Sequence, residues 1–355
     1  MAFACTAAAG IICFMVSLKF SSQKIQQACL RGAFVLAACG LLLIAGCSEA
    51  TQETAAQNQQ TRPRRAATDN SVQTNEKKPE MSDQNKEPAR DGAPSDFYAA
   101  LEKALARRGS NQATLCQISD PVSRRVLEDY GAMFLSSESV LPPPVCVFTG
   151  EADVSKFQKQ AGFTKAVIGG DEIELQPAAM EALLAARKEA QAAGLDITPR
   201  GGSEAARRSY KDTRRLWDTR FLPALTHWQK RGRLSREQVA RLRALPLKEQ
   251  VGEVLELEKS GIFFSKDLSK SILYSIAAPG TSQHIAMLAL DVTEFGNARV
   301  RSILAKHGWF QTVKSDLPHF TYLGQAEEAL PSLGLHAVMS GAQKFWIPNV
   351  VEKQN

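Results

Sequence analysis

Apolar positions are spread unevenly along the chain, and their spacing divides it before any single residue is considered. An apolar run from Gly32 to Ile44 gives way at Ser48 to a stretch of Gln, Asn, Thr, Lys, Glu and Pro that continues to about Ala93. This stretch has too little apolar surface to offset chain entropy, so it reads as a disordered tether. Periodic order begins near Ser95, where Phe97, Leu101 and Leu105 fall on one face of a helix. Asp120 is placed to cap a second helix over Pro121 to Phe134. Pro142, Pro143 and Pro144 break the chain ahead of Val145 to Phe148, a short predicted strand. Residues 95–165 read as a small N-terminal subdomain whose pattern discloses no function.

Beyond it the alternation sharpens. Ala166–Gly169 and Glu172–Leu175 flank Gly170 and predict a hairpin, and Pro177 to Ala193 predicts an alanine-rich helix closed by Gly194. A short strand is expected over Leu195–Pro199. It leads to Ser203, whose hydroxyl suits the cap of a long helix that carries Arg208, Leu216 and Trp217 and reaches Trp228. A helical hairpin from Ser235 to Lys259, containing Pro246, follows. Strands, a helix and strands return after Gly261. This order predicts an α+β fold with a small antiparallel sheet packed by helices, in a domain spanning 166–355 with a helical insertion at about 222–259.

With 355 residues, 44% hydrophobic and 23% charged, the totals are ordinary for a globular protein and decide little. Position decides more. Lys24 and Arg31 precede the apolar run, and the small residues Ala45 and Gly46 lead to Cys47, the arrangement of an export signal. The run is short for a membrane span, although an uncleaved single-span anchor is the competing reading. Ile44, Ala45, Gly46 and Cys47 resemble the lipobox of bacterial lipoproteins, which implies acylation of Cys47 and a membrane anchor through buried methylenes. The signal segment is then 1–47 and the tether 48–94, with the body in the cell envelope. Ser48 after the lipid site points to the outer membrane, facing the periplasm, if the source is Gram-negative. A second apolar stretch between Met1 and Ser22 is more than such a signal needs and is compatible with a start at Met15 or nearby.

Of the seven cysteines, Cys5, Cys13, Cys29 and Cys39 precede Cys47, which leaves Cys116 and Cys146 for the body. Such a pair in an exported domain is compatible with a disulfide and equally with two separate buried thiols. No Cys-x-x-Cys pair is present, which argues against a cysteine zinc cluster. The net charge of +6 is not gathered into a Lys/Arg run dense enough for nucleic-acid binding, so nucleic acid is not expected as a partner.

The stretches Ala278–Val292 and Ser315–Gly324 concentrate the groups that carry chemistry. His284, Asp291 and His319 offer two imidazoles and a carboxylate, and three such ligands plus water make an open zinc site. His284 and Asp291 are separated by an odd number of residues, so a bend must intervene for both to face one point. If the strand begins near Met287, Leu288 and Leu290 face the core while Ala289 and Asp291 share the other face. Asp316 lies three residues before His319, within reach of a general-base role. His227, His307 and His336 lack ligand spacing.

These residues, Ser282-x-His284 with Ala289 and Asp291, then Asp316-x-x-His319, resemble the D-alanyl-D-alanine carboxypeptidase (VanY-like) metallopeptidase family, which includes cell-wall L-alanyl-D-glutamate endopeptidases. The resemblance covers roughly Ile173 to Gly324. It implies Zn2+ held by His284, Asp291 and His319, Asp316 as the base, and Ser282 holding substrate or supporting the ligands. Hydrolysis of peptidoglycan stem peptides follows, as a D-Ala-D-Ala carboxypeptidase or, from the Asp-x-Pro-His-Phe form, an L-Ala-D-Glu endopeptidase; a non-catalytic, zinc-containing wall-binding lipoprotein is the alternative. The family also uses an arginine to stabilise developing negative charge or hold a substrate carboxylate. Arg200 is favoured for it, at the end of the predicted strand, over Arg208, which the pattern places inside a helix. Met287 stands where the family has glycine, which predicts a side chain intruding on the site and altering substrate shape. The helical insertion is expected to serve as a lid or a wall of the cleft.

Overall fold

Phe97, Leu101, Ala104 and Leu105 form the buried face of α1 (Phe97–Arg107), the first element of a computed structural model that describes residues 97–350. The export segment, the tether and Cys47 lie outside the described residues. After one short turn of helix, α2 (Gln112–Leu115), comes α3 (Pro121–Tyr130). The Asp120 side chain accepts the Ser123 backbone N–H at 3.0 Å and caps α3, and proline occupies the first helical position, where its missing N–H costs nothing. The helix stops earlier than its periodicity suggests and tightens into a 3-10 segment over Gly131–Leu135.

Next come α4 (Glu151–Ala161) and the hairpin of β1 (Thr164–Ile168) and β2 (Asp171–Leu175), paired antiparallel from Thr164–Leu175 to Ile168–Asp171. Gly169 and Gly170 make the turn with φ of 63° and 95°, the left-handed pair that a two-residue hairpin loop requires. α5 (Pro177–Ala192) buries Ala179, Met180, Leu183, Ala186 and Ala190, the small-residue stripe its sequence predicts. α6 (Tyr210–Lys230), α7 (Arg236–Ala244) and α8 (Leu247–Lys259) make a helical unit. After a long loop, β3 (Ala289–Asp291), α9 (Ala298–Lys306), β4 (Trp309–Phe310) and β5 (His319–Tyr322) follow, the strands forming an antiparallel sheet in the order β3-β5-β4. β6 (Leu335–Ser340) and β7 (Gln343–Pro348) close the chain as a hairpin. The α+β class is therefore the observed one. Among the described residues no helix is long and apolar enough to cross a membrane.

Two cores hold these elements. One joins Phe97, Leu101 and Phe134, from before residue 165, with Leu183, Leu290 and Trp309 after it. The other packs Val122 and Val126 of α3 against Trp217 and Phe221 of α6, Val239 of α7 and Val254 of α8.

Three local expectations are corrected. Val145–Phe148 is not a strand: the Phe148 N–H bonds to Gly280 O at 3.0 Å, Cys146 N–H bonds to Leu115 O at 2.8 Å, and no ladder forms. Leu195–Pro199 makes only the isolated bridge Pro199–Val292, because the Glu294 carboxylate takes the Thr198 N–H at 2.8 Å, where a strand neighbour would bond. Ser203 lies within a short 3-10 turn and caps no long helix. The helix starts later, at Tyr210, capped by Ser209 and Asp212 in a reciprocal capping box, so it begins before the expected insertion boundary at Leu222 and excludes Arg208.

The open question of the two body cysteines is settled as a Cys116–Cys146 disulfide, with Cα atoms 5.4 Å apart. Closing a loop between residues 30 apart restricts the unfolded chain. The Cys116→Ser, Cys146→Ser double variant is expected to lose about 3–4 kcal/mol of stability, read as a lowered urea midpoint relative to the oxidised protein.

Candidate metal centre

The bend demanded by the spacing of His284 and Asp291 is a 3-10 turn over Gln283–Ala286 followed by Met287 in the left-handed region, at φ 56° and ψ 32°. Beyond it the chain enters β3, where Asp291 pairs directly with His319 of β5, Leu290 with Phe320, and Ala289 with Thr321. Leu288, Leu290 and Phe320 belong to the core. Period-two alternation therefore gives Asp291 and His319 the opposite face, beside small Ala289.

On that face three ligand atoms converge. His284 Nε2 lies 3.1 Å from His319 Nδ1 and 3.4 Å from Asp291 Oδ1, and the third side of the triangle is 3.3 Å. A tetrahedral ion with bonds of about 2.0–2.1 Å to N and O ligands spaces them by about 3.3 Å. Asp291 Oδ1 is buried and has no hydrogen-bond partner among the described residues, as a carboxylate oxygen awaiting a cation would be. This buried group could hold a metal ion, and among the described residues it is the one cluster of its kind.

Burial and charge act differently on the two partners. Burial, assisted by the Arg208 charge, lowers the His284 pKa to about 4, so its imidazole is neutral at physiological pH and offers a lone pair. Burial works against the Asp291 charge, yet His284 and His319 hold its carboxyl well below the usual range, and it stays ionised.

Arg208, in irregular chain before α6, donates from Nη2 to Asp291 Oδ2 at 2.8 Å and from Nε to Glu204 O at 3.0 Å. It thereby turns Oδ1 towards the imidazoles. Arg208, His284 and His319 line a cavity of about 140 Å³ together with Ser282 and Asp316. Arg200 is not among the lining residues: its backbone N–H bonds Asp291 O at 2.8 Å, while its exposed guanidinium lies over the Phe295 ring, 5.3 Å from the centroid. Of the two arginines Arg208 is the one that lines the cavity, and it lies outside the helix expected to contain it; Arg200 is felt there through its charge, which lowers the Asp316 pKa. Asp316 reaches solvent, but protein crowds its remaining sides; this desolvation raises its pKa, His319 opposes the rise, and Asp291 adds to it.

Met287 is fully buried and does not line the cavity, so its side chain does not intrude there. No residue of the expected insertion, 222–259, lines the cavity; the wall on that side is the loop that follows α8, through Leu273, Tyr274 and Ile276. Of the other histidines, His307 pairs with Glu189 at 2.9 Å and His227 packs edge-on to Trp228. Sequence reasoning missed Gln283, whose Oε1 lies 2.8 Å from His319 Nε2; its place between Ser282 and His284 was the available signal.

Two outcomes follow. The purified protein is expected to bind one metal ion per chain in equilibrium dialysis, and His284→Ala to bind none, because two ligands remain. The metal-free protein is expected to lose stability as pH falls from 6.5 to about 4: folding favours neutral His284, so over this range the unfolded chain takes up a proton that the folded protein does not, and the loss ends once folded His284 is protonated. Thermal midpoints across that range measure it. Comparison with protein-family models, with curated proteins and with solved structures finds no match to this chain, so the metal-centre reading rests on its own geometry and the family resemblance gains no support from them.

Proposed function

We propose that the chain is a zinc-dependent peptidase that hydrolyses peptidoglycan stem peptides, of the D-Ala-D-Ala carboxypeptidase type. One observation carries the reading: three ligand atoms, from His284, Asp291 and His319, stand 3.1–3.4 Å apart beside a cavity that Asp316 also lines. Two imidazoles and one carboxylate suit zinc, and three protein ligands leave a position open for water or substrate. Zinc, when bound, supplies Lewis acidity and makes water a usable nucleophile near neutral pH.

The remaining work falls to side chains. Asp316 takes a proton from the attacking water and returns it to the leaving amine, a role suited to a carboxyl whose pKa is raised by its surroundings. Arg208 holds Oδ2 of Asp291 and so orients the carboxylate. Ser282 holds substrate, a role supported by its position in the lining. The peptidoglycan substrate rests on the sequence resemblance. Export and lipid attachment at Cys47 rest on the first residues of the chain and are supported by the Cys116–Cys146 disulfide, a bond that persists in oxidising compartments.

A second reading, a metal-containing module that binds wall peptides without cleaving them, is favoured by the commitment of Arg208 to Asp291, which leaves that guanidinium partly occupied. An L-Ala-D-Glu endopeptidase is the third, favoured by the Asp316-x-Pro318-His319-Phe320 pattern. Mass spectrometry of muropeptides incubated with the zinc-loaded protein separates them: loss of terminal D-Ala supports the first reading, internal L-Ala-D-Glu cleavage the third, and intact substrates the binding module. In the cleaving protein, Asp316→Ala is expected to retain zinc while turnover falls by about 10²–10⁴-fold. Undiminished turnover would remove Asp316 from the mechanism.

A further inference from the structure

We infer that Gln283 is a positioning residue that makes His319 a metal ligand through Nδ1, by fixing its tautomer. The inference rests on the reading of His284, Asp291 and His319 as a metal centre, and it concerns a residue that the resemblance assigns no role.

The orientation of the Gln283 amide follows from one neighbour. Tyr130 O, a backbone carbonyl, can only accept a hydrogen bond, and a terminal atom of Gln283 lies 2.9 Å from it. That atom is therefore the NH2 group, Nε2. Its second hydrogen points towards Thr312 Oγ1 at 3.5 Å. The amide oxygen is then the atom facing β5, where it accepts from Thr321 Oγ1 at 2.5 Å and lies 2.8 Å from His319 Nε2. An amide oxygen cannot donate, so His319 Nε2 carries the hydrogen. Nδ1 is left with its lone pair, and it is the atom that stands 3.1 Å from His284 Nε2 and 3.3 Å from Asp291 Oδ1.

The surrounding network leaves little freedom for another arrangement. Gln283 is 1% exposed, Thr312 and Thr321 are 0% exposed, and the threonine hydroxyls bond each other at 2.6 Å. A flipped amide would set its oxygen against the Tyr130 carbonyl oxygen, losing that buried hydrogen bond and leaving two acceptors face to face. A neutral amide also differs from the carboxylate that often backs a metal-binding histidine: it selects the tautomer without adding negative charge.

The test uses the full chain and reads metal affinity and tautomer, not turnover. Zinc affinity is measured by chelator competition, and the tautomer of His319 by long-range 1H–15N correlation on the metal-free protein. Wild type is expected to show His319 protonated on Nε2. Gln283→Leu is expected to bind zinc about 10–100-fold more weakly, with His319 redistributed between tautomers. Gln283→Glu loses the donor to Tyr130 O but keeps an acceptor for Nε2–H, so it is expected to keep His319 protonated on Nε2, which gives a second reading of the tautomer should the Leu variant fail to fold. A His319 protonated on Nδ1 in wild type, or a folded Gln283→Leu with wild-type affinity and tautomer, overturns the role of Gln283. Absence of zinc binding by wild type with His319 in the Nε2–H form overturns the metal-centre reading instead.

Discussion

Enclosing the Asp291 carboxylate removes most of its water, and it stays ionised only because protein groups replace that water on one side. Arg208 satisfies Oδ2 with a charge-assisted bond of 2.8 Å. Oδ1 has no donor of its own and shares its space with two ring nitrogens. With His319 protonated on Nε2, a single hydrogen on His284 Nε2 is all that the three converging atoms could share. A cation completes such an arrangement and nothing else in the described chain does. The local backbone serves this demand: the β3–β5 register puts Asp291 across from His319, and the irregular chain before α6 brings Arg208 alongside.

The apolar wall of the cavity beside this centre comes from the second core, through Tyr130, Leu273 and Val313. Tyr130 ends α3, and its hydroxyl bonds Leu273 O at 3.0 Å while its own carbonyl holds Gln283. The loop carrying Leu273 is pinned from the helical unit by Glu258, a buried carboxylate that accepts the Ile272 N–H at 2.7 Å and the Phe264 N–H at 3.3 Å. Burial raises the Glu258 pKa, so the hydrogen bonds to its carboxylate offset only part of the desolvation. The helices therefore affect the cleft through a tethered loop and not through direct insertion of a helix.

Periodicity makes the helical faces legible: Phe97, Leu101 and Leu105 in α1 and the alanine stripe of α5 lie where the pattern puts them. Composition likewise reveals the Gly169–Gly170 turn and the concentration of His284, Asp291, Asp316 and His319. Competing local signals explain the misses. Two serines, Ser203 and Ser209, precede the long helix, and only the second has an acidic residue three positions on that completes a capping box. Choosing the first moves Arg208 into a helix and away from Asp291. Leu195–Pro199 has strand-like residues, but a distant side chain, Glu294, takes the N–H that a ladder would use. Gln283 is marked only by its place beside His284, since its role depends on Tyr130, which is far away in sequence.

Met287 shows how a residue other than glycine can hold a left-handed bend. A non-glycine residue at φ 56° costs about 1–2 kcal/mol. Fully burying a methionine side chain contributes about 1.5–3 kcal/mol, enough to offset that strain. The conformation is also clamped from outside: the Gln176 backbone N–H bonds Met287 O at 3.1 Å, and its side-chain NH2 bonds Ala286 O at 2.8 Å. Because the bend is held by Gln176 and the side chain is buried away from the cavity lining, glycine is not needed for His284 and Asp291 to meet. What the site requires at residue 287 is the left-handed backbone, and packing supplies it here.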